Sequence, residues 1–130
     1  MNNETRLHYQ YSITLAAELL GISPAYIESR MSGSESKIDN LYQTLQNLIN
    51  TIKPREQDII NLRYGLLDSQ WRLYKEVGAE IGVSKQRAYQ VKQKAFRKLR
   101  HPSRSRKLRH CIEQGSGDYT GADIDKATEG

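Results

Sequence analysis

The chain has 130 residues, with 20 Lys or Arg against 15 Asp or Glu, a net charge of +5 and a mean hydropathy of −0.75. That length holds one compact domain or two small helical units, with a modest core under a largely polar surface. One cysteine, Cys111, excludes an intramolecular disulfide and a cysteine-based zinc or iron–sulfur site, and no stretch approaches the roughly eighteen apolar residues of a membrane span, so a soluble, cytoplasmic chain with no membrane partner is expected.

In chain order, SITLAAELL at residues 12–20 predicts a helix, with Ser12 or Thr14 as its cap. Gly21-Ile22-Ser23 interrupts it, and Ser23 followed by Pro24 suits the cap and first position of a second helix running to about Arg30. Ala17, Gly21, Ile22, Ser23 and Ile27 follow the spacing of a helix-turn-helix: small residue, turn glycine, apolar anchor, cap, apolar anchor. The second helix is short and nearly neutral. Residues 1–31 are therefore expected to form a helical pair, with two roles open: a second helix-turn-helix, or a dimerisation or partner element that would make a homodimer.

Residues 32–36, SGSES, predict a linker. Beyond it Ile38, Leu41, Tyr42, Leu45, Leu48 and Ile49 recur at spacings of three and four, one apolar helix face. Lys53-Pro54 marks the next boundary, with Thr51 expected to cap a helix carrying Ile59, Ile60, Leu62 and Tyr64, and Gly65 expected to end it in a left-handed turn. After a loop holding Trp71, expected as a lid on the core, Tyr74, Val77 and Ile81 face inward from a short helix. Gly78 allows close approach of a neighbour and Gly82 takes a tight turn. Ser84 is the expected cap of a long helix whose Ala88, Val91, Ala95 and Leu99 line a buried stripe. Pro102 ends that helix, and Ser103 to Ile112 adds a further basic turn or helix, closing a domain placed at 37–112. Residues 113–130 are expected to be a flexible acidic tail, since no apolar period persists from Gly115 onward. The fold class is all-α, a small helical bundle with a C-terminal helix-turn-helix.

Between Trp71 and His110 lie thirteen Lys or Arg and two acids, Glu76 and Glu80, a local charge of +11. A field of that sign and density suits a polyanion, and a helix following a tight turn suits a duplex groove. Lys85, Gln86, Arg87, Tyr89 and Gln90 occupy the groove-facing start of the long helix. Gln can pair with adenine, Lys or Arg can donate to guanine, and Tyr can donate to phosphate or touch a thymine methyl. Ser84, Lys92, Lys94, Arg97, Lys98, Arg100 and Arg104 are the candidate phosphate contacts, which grip without selecting sequence. No Gly-rich phosphate loop, nucleophile elbow or HExxH occurs, and His8, His101 and His110 are dispersed, so no catalysis, metal or cofactor is expected.

Residues 54–104 resemble region 4 of the bacterial sigma-70 family, housekeeping class. The resemblance is carried by Pro54-Arg55-Glu56, the LRYGL run from Leu62 to Leu66, Glu76-Val77-Gly78, Gly82-Val83-Ser84, Arg87, Gln90, and the Lys94 to Arg104 tail. It implies binding to the promoter −35 element of double-stranded DNA and to the β-flap of RNA polymerase. By position, Lys85, Gln86, Arg87, Tyr89 and Gln90 fall on the DNA-reading helix, Arg55 becomes a further phosphate contact, and Ile59, Leu62, Tyr64 and Leu66 fall on the flap-facing part. The sequence departs from the family at Gln86 and Lys92, where acids are usual, at Tyr89, where arginine is usual, and at Leu73, where a capping threonine is usual. Because leucine cannot cap, Ser69 is expected to start that helix early. The family's region 2, which opens the −10 element, has no counterpart before residue 37. The resemblance thus implies either a small phage-like or mobile-element regulator or one subunit of a split sigma factor with a separate region 2 partner. A polymerase-binding adaptor or inhibitor is the alternative class.

Overall fold

A computed structural model describes residues 3–32 and 34–114, with side chains from Thr5 onward; the expected tail lies outside it from residue 115. Seven helices and no strand occur among the described residues. Helix α1 spans Asn3–Leu20, longer than expected at its start. Ser12 and Thr14 do not cap it: their hydroxyls donate to the carbonyls of His8 and Gln10, one turn back inside the helix. The added turns are polar in sequence and are held by tertiary contact, with the buried Tyr9 hydroxyl donating to Asp39 at 2.9 Å. Gly21, at φ +66°, turns the chain into α2 (Pro24–Met31), capped by Ser23, whose hydroxyl accepts from the Ala25 N–H.

Helix α3 (Glu35–Ile49) starts at Ser34, inside the expected linker, and buries Leu41, Leu45, Leu48 and Ile49. Helix α4 (Pro54–Arg63) begins at Lys53, not Thr51. Thr51 instead donates to the Leu48 carbonyl and closes α3, while the Glu56 carboxylate accepts from the Lys53 N–H at 3.1 Å and satisfies the start of α4. Gly65, at φ +59°, ends the segment, and a side chain there would sit 2.8 Å from the Gln70 backbone. Arg72 fastens the following loop by pairing with Asp68 and with Glu80, the latter at 2.8 Å. Helix α5 (Tyr74–Ile81) opens at Leu73. Ser69 does not start it: that residue sits at φ +59°, outside the helical region, and Glu76 accepts from the Leu73 N–H at 2.9 Å in place of a capping side chain. Helix α6 (Lys85–Arg100) follows the turn, and α7 (Pro102–Gln114) completes the described chain.

Two hydrophobic clusters organise these helices. A small one contains Ile59, Val77, Ala88 and Val91, joining α4, α5 and the first half of α6. The larger runs from Ile13 through α2 and α3 to Tyr64, Leu66, Ala95, Phe96 and Leu99, and ends on Leu108, Cys111 and Ile112. Helix α6 is therefore shared, its start in the small cluster and its end in the large one. Helices α1 and α2 contribute to that same large cluster, and they are tied further by polar contacts. Tyr64 donates to the Glu18 carboxylate, and Arg30 of α2 donates to the Glu113 carbonyl at the end of α7. Trp71 packs on the large cluster as the expected lid, edge-on to Tyr64 at 5.2 Å.

Candidate nucleic-acid interface

The turn between α5 and α6 is built from three small residues. Gly82 adopts φ +78°, which lets the Val83 N–H bond back to the Gly78 carbonyl at 2.9 Å. A Cβ on Gly78 would stand 2.5 Å from the Val83 carbonyl oxygen, so glycine there is what allows the chain to double back. The Ser84 hydroxyl then accepts from the Arg87 N–H at 3.0 Å and starts α6. The same backbone form recurs between α1 and α2, where the Ile22 N–H bonds to the Ala17 carbonyl at 3.1 Å across Gly21.

Once started, α6 separates its chemistry by face. Ala88, Val91, Ala95, Phe96 and Leu99 are buried, whereas Lys85, Gln86, Arg87, Tyr89 and Gln90 are all exposed. Helical periodicity puts Gln86, Tyr89, Gln90 and Gln93 on one line, with Lys94 and Arg97 continuing beside it, all of them exposed. Gln93 was missed in the sequence reading. The signal for it is its seven-residue spacing from Gln86. No Asp or Glu occurs anywhere in α6.

The other candidate cations are engaged within the protein. The Lys98 ammonium lies 2.9 Å from the Glu56 carboxylate. Arg100 donates to the Leu19 and Glu18 carbonyls at 3.0 Å each, closing the end of α1. Arg104 donates to Thr51 and to the Lys98 carbonyl, and Arg55 to the Ile81 carbonyl at 3.3 Å. The half-buried Lys92 ammonium rests 4.0 Å over the Phe96 ring and 5.9 Å from that of Tyr89, and burial lowers its pKa. Of the residues expected on a flap-facing surface, Ile59, Tyr64 and Leu66 are sealed in the core and only Leu62 is partly exposed. The large apolar side chain standing free beside it is Leu67, 69% exposed.

Fold and site together define a helix-turn-helix protein whose second helix carries a cationic, acid-free outer face. Comparison with known proteins makes the class specific. Residues 48–101 match the family model for sigma-70, region 4, which supports a region 4 helix-turn-helix domain there and a DNA-binding, transcription-related function. Over 73 residues the chain is 45% identical to the RNA polymerase sigma factor SigA of Clostridium acetobutylicum, and 42% identical to that of a Bacillus species. Each alignment covers 56% of this chain but only 19% of the relative. No described helix is long and apolar enough to cross a membrane.

Proposed function

We propose that this protein binds promoter duplex DNA through α6 and contacts RNA polymerase, recruiting or redirecting it without chemistry of its own, in the cytoplasm on the nucleoid. The observation that carries the reading is the exposed line from Gln86 to Arg97, presented outward by a helix whose opposite face is locked into two hydrophobic clusters. Lys85, Gln86, Arg87, Tyr89, Gln90 and Gln93 meet base edges in the major groove, while Lys94 and Arg97 hold phosphates. Lys98, Arg100, Arg104 and Arg55 act chiefly by holding α6 and its neighbours in place. The polymerase contact centres on Leu62 and the exposed Leu67.

Titration of labelled duplexes across a salt series tests the DNA half. Log affinity should fall linearly with log salt, and Lys94→Ala or Arg97→Ala should each flatten the slope by about 0.9. A folded protein that binds no duplex, or binds with an affinity indifferent to salt, would instead be a polymerase adaptor. Capture of core polymerase by the wild-type chain, weakened by Leu67→Asp, is the expected result for the second half.

A further inference from the structure

The exposed line on α6 is unusual in its centre. Its cations stand at the edges and the far end, while the middle is Gln86, Tyr89, Gln90 and Gln93, three amides around one aromatic ring. That ring does not swing freely. Tyr89 is 46% exposed, and its ring stands T-shaped to that of Tyr74, the first residue of α5, with centroids 5.2 Å apart and an interplanar angle of 87°. Tyr74 lies under the Arg63 guanidinium at 4.2 Å, which also covers Trp71 at 4.6 Å. Trp71 is in turn edge-on to the buried Tyr64. An alternation of rings and one guanidinium thus runs from the large core to the centre of the DNA-facing line.

We infer that Tyr89 is a fixed apolar reader of the thymine C5 methyl group, held in register by Tyr74 acting as a positioning residue. This rests on the reading of α6 as the DNA-binding helix. The major groove offers a single apolar landmark, that methyl group, and the amides on either side of Tyr89 match adenine. A tyrosine has only two side-chain torsions, and edge-to-face contact with a second ring restrains both, so it presents its exposed side with little ordering cost on binding. Gln86, Gln90 and Gln93 thereby recognise adenines at A·T steps around the thymine read by Tyr89.

The experiment selects duplexes from a random library with the full chain, then replaces each thymine of the selected site by uracil, which deletes only the methyl. One replacement should weaken wild-type binding about fourfold, the factor for one methyl group leaving water, and the rest should be near neutral. Tyr89→Ala should bind both duplexes equally with an unchanged salt slope. Tyr74→Leu fills the site without a ring and should lose most of the discrimination while keeping its affinity for random duplex. Tyr74→Phe should keep both. Selective binding indifferent to every uracil overturns this inference alone, as does full discrimination in Tyr89→Ala. Full discrimination in Tyr74→Leu removes the positioning role. A wild-type chain that binds no duplex overturns the DNA-binding reading along with it.

Discussion

The Lys98 ammonium and the Glu56 carboxylate, 42 residues apart, meet at 2.9 Å and join the end of α6 to the first turn of α4. The Glu56 side chain is 4% exposed and also accepts from the Lys53 N–H. Such a pair adds little compared with an apolar replacement of both partners, but breaking it strands a buried charge. Lys98→Met is therefore expected to lower unfolding free energy by about 3 kcal/mol, near the bottom of the range for broken buried pairs because Lys98 keeps some contact with water. Urea denaturation at pH 7 measures it. The salt slope of DNA binding should barely change, which separates Lys98 from Arg97.

Glu56 also makes stability depend on acid. Burial alone would raise its pKa, but hydrogen bonds from Lys98 and the Lys53 N–H and the charges of Lys98 and Lys94 together leave it below the ordinary value. A folded-state pKa below the unfolded one means the unfolded chain takes up protons first. The stabilisation is complete above the unfolded value of about 4.3 and disappears as pH falls through the lower folded value. Unfolding free energy measured between pH 6 and pH 2 should drop through that window, and the drop should be shallower in Glu56→Gln.

Arg100 should behave as a fastener for α1. Its two hydrogen bonds satisfy carbonyls that the helix end leaves without partners. Arg100→Ala is expected to cost about 1.5 kcal/mol and to speed amide exchange in the last turns of α1. An unchanged exchange rate there, with a DNA salt slope that falls, would return Arg100 to the phosphate-binding set.

Gly78→Ala tests the turn itself. The added methyl meets the Val83 carbonyl oxygen at 2.5 Å, a backbone atom that moves only with the turn. A loss of about 1–3 kcal/mol is expected from overpacking, together with weaker duplex binding as Ser84 and the start of α6 shift. Thermal melts and anisotropy titrations report the two effects. The matching position of the first turn is already alanine, Ala17, so that turn tolerates the methyl that the second does not.

Much of the architecture was legible because it is written locally. Gly82 before Ser84, Gly21 before Ser23, Pro24 and Pro54 each act on their own few residues, and the structure has those breaks where the sequence expects them. The start of α1 was not legible. NETRLHYQY has no clean apolar face, and its helix depends on Tyr9 reaching Asp39 and on His8 lying 4.1 Å from Tyr42, contacts made with α3. The caps of α4 and α5 were misassigned, to Thr51 and Ser69, for a related reason: Glu56 and Glu76 reach back to the helix start, so no capping side chain stands at Lys53 or Leu73.

The amino-acid order alone determined that this chain makes helices, where most of them break, and that one of them presents amides and cations on a face without acids. Those properties follow from backbone preference and helical spacing, which act over a few residues. Which cations take up a hydrogen-bond or ion-pair partner from another segment was decided only by folding. Lys98, Arg100, Arg104 and Arg55 look like Lys94 and Arg97 in composition, yet each finds a carboxylate, hydroxyl or carbonyl brought close by a distant segment. A cation can turn to such a partner only where the packed core has placed one within reach, and no local pattern carries that information.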